Sequence, residues 1–598
     1  MLFSLLIACT DEAPRQVLLP PVAAIWAAEH RHFDRDGDGV LGPREFTQGV
    51  RKHTSGLSFA AGDLDLDGRL SLSEFRTLME TREPRVLVDK RLDPGDPKRR
   101  QTEQFQFVPR EGRIPGDEGP VATERKGLPN LLLISMDSVR ADRTSPYGFV
   151  KDTTPWLARL AEHGVVFETV GSTGNESAYS HAAMLTGRYP SEIASPDYLT
   201  YQIPEEATLV GEILQLYGYE TAAFLAGGHI RGEFGFDQGW QTFSHELGFA
   251  SFWHTTPKAL EWLDERERGA PWMLMVHGYD AHRSYILPDP YYHRFTAGGG
   301  SPLAEHIVRR GYRAERIYGD TFYEDFELES LQHPSGMFIL TPGSYARLVD
   351  EAGARADGQT LTAADIEHLR GHYHAMLRYL DLQLALFLSA AEASGHLDNT
   401  LIVLTSDHGE DMLDHGWMNH RTGLTESCTR VPLVVLGPGV AEGARSEELV
   451  SLLDLVPTLL EAGGAVPPAE LRGRSIWPAL RGEDMPDQPI FYEGVNDQVA
   501  VRTATHKLVY SGLPLSDPGH LAGLQSDGPE HFALYDLRSD PGETAAVDDP
   551  AVFDALRMEL IVWRVGLATA THGMDPASLD PAIRREMQDK GYWEFGED

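Results

Sequence analysis

Two twelve-residue stretches carry carboxylates on alternate positions. In DRDGDGVLGPRE (34–45), Asp34, Asp36 and Asp38 stand at positions 1, 3 and 5, Gly39 at 6, Val40 at 7 and Glu45 at 12. DLDLDGRLSLSE (63–74) repeats the pattern with Asp63, Asp65, Asp67, Gly68, Arg69 and Glu74. In a tight loop, alternate side chains converge on one point, and the glycine permits the sharp turn. A backbone carbonyl at position 7 and a bidentate carboxylate at 12 complete an oxygen cage for a hard cation, the EF-hand arrangement for Ca2+. A solvated acidic turn rarely produces two full copies. Trp26 and Phe33 before the first loop, and Phe46 and Phe75 after each, offer apolar faces for flanking helices. Leu41 and Leu70 occupy equivalent places and suit pairing of the two loops.

A second set of acids stands at the ends of apolar runs. LLLIS (131–135) is a continuous run of the buried parallel-strand type and leads through Met136 into Asp137. LIVLTS (401–406) leads directly into Asp407 and His408. Open α/β sheets bind their ligands beyond the carboxyl ends of strands, so two strand-terminal acids point to one crevice. Between them, apolar runs alternate with helical patterns, as in ATLVGEILQLYG before TAAFLA, which makes the body an α/β architecture.

Composition narrows the partners. Among 598 residues, 52 Lys plus Arg face 90 Asp plus Glu, a formal charge of −38, which disfavours nucleic acid and means that an anionic substrate must be captured by a local site. The two cysteines, Cys9 and Cys428, exclude a disulfide framework and a cysteine zinc site. MLFSLLIA ends at Cys9, and Leu6 to Cys9 resemble a bacterial lipobox, although a basic leader segment is missing and the apolar run is short. The expectation is an exported chain, lipid-anchored at Cys9 in a bacterial envelope or released to the periplasm or exterior. No other run approaches the ~20 apolar residues of a spanning helix. The chain divides into a signal-like segment (1–9), an EF-hand pair (10–80), a linker rich in Pro, Gly and charge (81–129), a catalytic domain (130–488), and a C-terminal subdomain with a tail (489–598).

From Asn130 onward the sequence resembles the sulfatase branch of the alkaline phosphatase superfamily. The resemblance rests on LLLISMDSVRADRTSPYG, TTPWLARLAEHGVVFE, SHAAMLTGRYPSE, GYETAAFLAGG with FGFDQGW, VHGYDAH, LTSDHGEDMLDHG, ESCTRVPLVV, VSLLDLVPTLLEAGG, and VRTATHKLVY with LYDLRSDPGE. It implies an alkaline-phosphatase/sulfatase-like α/β sandwich with a small C-terminal α+β subdomain, here preceded by the α-helical EF-hand module. It also implies one divalent metal (Ca2+, Mn2+ or Zn2+) held by Asp137, Asp407 and His408, with Ser138 in place of the family's second acid. Counting nine residues back from Thr186 of the Thr186-Gly187 pair places the nucleophile at Ser177. Arylsulfatases mature this position to formylglycine within a Cys/Ser-x-Pro/Ala-x-Arg context. Here Tyr179 and His181 stand where that signal needs a small residue or proline and an arginine, so the signal is missing.

The same resemblance gives Arg140 to the substrate's oxyanion and makes His282 a general acid for the leaving oxygen. His420 binds the anion or moves a proton, and His181 supplies the charge of the absent arginine. His229, His277 and His415 have weaker motif context. Three functional readings follow. The first is metal-dependent hydrolysis of sulfate esters with Ser177 at the nucleophile position. The second is a phosphatase, phosphodiesterase or phosphoryl transferase working through an unmodified Ser177 alkoxide, and the third an inactive calcium-binding surface scaffold.

Overall fold

The computed structural model describes residues 17–33, 40–41, 70–71, 105–106 and, with short internal breaks, 127–308 and 362–572. Strand β1 (Val40–Leu41) pairs antiparallel with β2 (Leu70–Ser71), matching Val40 to Ser71 and Leu41 to Leu70. The pairing suggested for Leu41 and Leu70 is therefore present. Cys9 and the loop residues Asp34, Asp36, Asp38, Glu45, Asp63, Asp65, Asp67, Arg69 and Glu74 lie outside the described residues.

Strand β3 (Phe105–Gln106), from the stretch read as linker, forms an edge of a ten-stranded mixed sheet. The centre of that sheet is β4 (Asn130–Met136). On one side of it run β8 (Trp272–Gly278), β6 (Glu220–Leu225) and β7 (Thr242–His245), all parallel, with β3 closing antiparallel on β7. On the other side lies β9 (Thr400–Ser406), also parallel to β4. Beyond β9, an antiparallel strand at Leu433–Leu436 leads to β5 (Gly164–Gly171). Every residue of β8 and β9 is buried, which is why these segments read as unbroken apolar runs rather than alternating ones.

Successive side chains of a strand face opposite sides of the sheet, and β4 uses both. Leu132, Ile134 and Met136 join the core under α2 (Pro155–Ala161), α5 (Phe252–Glu265) and α6 (Ala363–Ala393). Leu131 and Leu133 join the core under α3 (Ser177–Thr186), α4 (Val210–Leu216) and α7 (Leu455–Ala462). The result is a three-layer α/β/α sandwich.

The 31-residue α6 begins in a reciprocal cap, in which Thr362 accepts from the Asp365 N–H and Asp365 accepts from the Thr362 N–H. The N-terminal α1 (Val22–Phe33) packs on α6, and its buried Glu29 accepts from the Tyr291 hydroxyl at 2.9 Å and pairs with Arg378. Strands at Ile490–Glu493, Val499–Arg502, His506–Tyr510 and Phe532–Asp536 make a separate antiparallel sheet. Helix α8 (Pro550–His572) covers it, with Trp563 stacked on Phe491 at 5.0 Å. Among the described residues no helix is long and apolar enough to cross a membrane.

Candidate active site at the strand ends

The β4–β9 register pairs Met136 with Ser406, so the next residues, Asp137 and Asp407, emerge side by side. Ser138 then takes a left-handed backbone (φ 60°), a conformation that costs a non-glycine residue about 1–2 kcal/mol. The strained turn places both hydrogen-bond donors of Ser138 on the acids. Its N–H donates to Asp407 Oδ1 at 3.2 Å and its hydroxyl to Asp137 Oδ1 at 2.7 Å. Asp407 Oδ1 also accepts from the His408 N–H at 2.8 Å. His408 donates from Nδ1 to the Gly409 carbonyl at 2.9 Å, which leaves the Nε2 lone pair bare and facing the acids.

Ser177 reaches the same point from α3. The helix is capped by Glu176, whose carboxylate accepts from the Ala178 and Tyr179 N–H groups, so Ser177 is the first helical residue and its hydroxyl is not consumed in capping. Its Oγ donates to Asp137 Oδ2 at 3.0 Å and lies 3.2 Å from His408 Nε2. All four side chains are buried.

Burial alone would raise the Asp137 carboxyl, but His277, His282 and His408 hold it well below the usual range. Asp407 is pushed well above that range by burial and by the charge of Asp137. Burial lowers His408 and keeps its imidazole neutral. Two carboxylates meeting in a dry site are a charge conflict that a cation resolves. The donor set fits one. Asp407 Oδ2 is buried without a hydrogen-bond partner and lies 3.4 Å from His408 Nε2. Together with the 3.0 and 3.2 Å contacts of Ser177, these are the separations of neighbouring ligands around an ion bound at about 2.1 Å. Asp137, Asp407 and His408 thus form a cluster suited to a divalent metal.

Two expected roles are corrected. Arg140 does not face this cluster. Its guanidinium is engaged by both oxygens of Asp142 (2.8 and 2.9 Å), by Asp414 and by the Glu410 carbonyl, so it braces the loop after β4 rather than meeting a substrate anion. His181 does not carry the charge of an arginine. Burial and the neighbouring His277 lower its pKa to about 3, and the ring is tied to the Ser177 carbonyl at 2.8 Å and the Ser135 hydroxyl at 2.9 Å.

The remaining histidines wall the site. His420 stacks on His408 at 4.0 Å, with its Nδ1 3.5 Å from Glu410, and His282 lies 5.4 Å from His420 while stacking on Phe249. His229 is partly exposed and lies 3.8 Å from Glu176, whose carboxylate also pairs with Arg421. His415 is a brace between Asp411 and the Gly542 carbonyl.

Sequence reasoning passed over Glu176 and Arg421, and it ranked His277 low. His277 is the penultimate residue of β8 and lies 3.7 Å from Asp137. Its signal was positional, since β8 ends level with β4, pairing Gly278 with Met136. Most of the insertion between 288 and 345 lies outside the described residues.

The sulfatase family matches residues 129–465, and the pattern described as N-sulphoglucosamine sulphohydrolase, C-terminal, matches residues 413–562. An N-acetylglucosamine-6-O-sulfatase of Bacteroides thetaiotaomicron is 24% identical over 73% of this chain and 86% of its own length. Arylsulfatase K of Mus musculus is 23% identical over 60% of this chain and 65% of its own length, so just under two thirds of that relative is spanned. A solved structure with D-glucosamine-2-N,6-O-disulfate bound superposes with a TM-score of 0.56 at 21% identity, covering 76% of this chain and all of the other, a likeness of fold.

Proposed function

The chain belongs to the sulfatase family and is a hydrolase of sulfate esters, and we propose that it works through Ser177, with the α/β body as the catalytic unit and a sulfated sugar as substrate. The observation that carries this reading is the Ser177 hydroxyl held between Asp137 Oδ2 at 3.0 Å and His408 Nε2 at 3.2 Å. Asp137, Asp407 and His408 would hold a divalent ion, which when bound would supply Lewis acidity to lower the pKa of the hydroxyl and offset the charge of the sulfate. Ser177 Oγ bonds to sulfur as the sulfur–alkoxy bond breaks, its own proton passing to water. The alcohol departs with a proton from His282, and water then cleaves the sulfo-serine to release sulfate. His420, stacked on His408 and 5.4 Å from His282, steadies the anion.

The choice of a sugar rests on the Bacteroides relative. A second reading, transfer or hydrolysis of a phosphoryl group, is favoured by one feature. Tyr179 and His181 break the maturation signal, and an unmodified serine suffices for phosphoryl chemistry, which needs mainly positioning and charge neutralisation.

The N-terminal module fits a calcium-binding EF-hand pair, supported by the two twelve-residue loops and by the pairing of Leu41 with Leu70. The lipobox-like segment ending at Cys9 supports export and envelope anchoring. The test is a panel of 4-nitrophenyl sulfate, N-acetylglucosamine 6-sulfate and 4-nitrophenyl phosphate, each with Mn2+, Zn2+ or Ca2+ supplied. Metal-dependent release of sulfate is expected. Release of phosphate alone moves the assignment to phosphoryl chemistry, and no turnover at all favours the scaffold.

A further inference from the structure

Glu176 precedes Ser177 in the chain, is buried, and has no task in the proposed reaction. Its Oε2 accepts from the Ala178 N–H at 2.8 Å and from the Tyr179 N–H at 3.4 Å. Its Oε1 pairs with Arg421 and lies 3.8 Å from His229 Nδ1. The N–H groups at the start of a helix are a ready cradle for an anion, and here the protein's own carboxylate fills it. Burial alone would raise that carboxyl, but Arg421, His229 and His408 hold it below the usual range, so it is ionised at neutral pH.

The partner is fixed as firmly. Arg421 is also buried, and its loop is tied to the approach to Ser177. The side-chain amide of Asn175 donates to the Gly423 carbonyl at 3.1 Å, while its oxygen accepts from the Val495 N–H at 3.1 Å. The charges of Glu176 and Arg421 both act on His408, whose Nε2 is 3.2 Å from Ser177 Oγ, so the pair belongs to the field of the site. Being opposite in sign, they offset each other there. Asp137 and Asp407 likewise match the two charges of one divalent ion. These groups together offer no surplus positive charge, which suits a transferred group bearing one negative charge better than one bearing two. Sulfate monoesters and phosphodiesters are monoanions. A phosphate monoester, whose second pKa is about 6, is a dianion above neutral pH.

We propose that Glu176 is a charge filter: by offsetting Arg421 it restricts Ser177 to monoanionic esters, sulfate monoesters and phosphodiesters, and turns away dianionic phosphate monoesters. The proposal rests on the reading of Ser177 as the nucleophile. The same filter speeds departure of the product, because inorganic sulfate is a dianion.

The test compares 4-nitrophenyl sulfate, bis(4-nitrophenyl) phosphate and 4-nitrophenyl phosphate at about pH 8, where the last is a dianion. It uses the full chain supplied with Mn2+, as wild type and as Glu176→Gln, which keeps a side-chain acceptor and removes the charge. The wild type should favour the diester over the phosphate monoester. The substitution should raise kcat/KM for the phosphate monoester relative to the diester by about 10-fold or more. Glu176→Asn, a neutral residue well suited to capping, is the second variant should Glu176→Gln fail to fold. Calorimetric titration with inorganic sulfate reads the same rule without turnover, and its affinity should rise in the variant. A wild type that prefers the phosphate monoester, a variant that slows all three substrates alike, or an unchanged sulfate affinity overturns the proposal and leaves Ser177 standing. A wild type inactive on all three substrates overturns both.

Discussion

Asp137 and Asp407 leave neighbouring parallel strands at the same height because Met136 and Ser406 are register partners. Their proximity is built by the sheet and costs electrostatic energy in the absence of a cation, as the upward push on Asp407 shows. Asp407→Asn keeps an acceptor for the Ser138 and His408 N–H groups while removing the charge. The variant should fold, and its affinity for the catalytic metal should fall by about 100-fold or more, since even residues one step removed from a metal cost 10–100-fold. Metal titration of the purified variant beside its circular dichroism spectrum checks both halves.

Ser138 separates backbone from side-chain effects. At φ 60° a glycine relieves strain, whereas the hydroxyl bond to Asp137 at 2.7 Å is lost. Ser138→Gly should therefore be as stable as the parent or more so by up to about 1 kcal/mol, yet turn over substrate about 10-fold more slowly or worse. Urea denaturation and steady-state kinetics on one preparation distinguish this from a simple loss of stability.

The strands that matter most were legible because both of their faces are buried. LLLIS and LIVLTS contain no solvent-facing positions, so hydrophobicity alone marked them, and the acids that follow marked the crevice. Ser177 was found by its distance from Thr186-Gly187, a spacing that a rigid helix preserves, since α3 spans Ser177–Thr186 and Gly187 follows in the left-handed conformation. What stayed hidden depends on pairings across the chain. Arg140 seemed free for an anion until folding brought Asp414 beside it from 274 residues away. His181 seemed able to carry charge until burial in a wholly buried helix removed it. His277 had only weak motif context in the sequence, and only the alignment of β8 with β4 gives it Asp137 as a neighbour.

Acid should loosen the contact between the sandwich and the second sheet. Burial alone would raise the Glu426 carboxyl, but Arg502 and Lys507, each 3.2 Å away, lower it from 4.5 to about 2. A carboxyl whose folded pKa is depressed stabilises the fold fully above its unfolded value, and that contribution disappears as pH falls from 4.5 toward about 2. Glu426→Gln should be less stable than the parent at neutral pH and show a flatter decline below pH 4.5, measured as urea unfolding free energy against pH.

The central claim is that the oxygen of Ser177 attacks the ester, and Ser177→Ala tests it most directly. The exchange removes one hydroxyl from the start of a capped, fully buried helix and leaves Asp137, Asp407 and His408 in place. With the metal content of the variant verified, its kcat on 4-nitrophenyl sulfate is predicted to fall by about 1,000-fold or more, as expected when a nucleophile is deleted. A kcat within about tenfold of the parent, less than 1.4 kcal/mol of barrier, would contradict the account and move the nucleophile elsewhere.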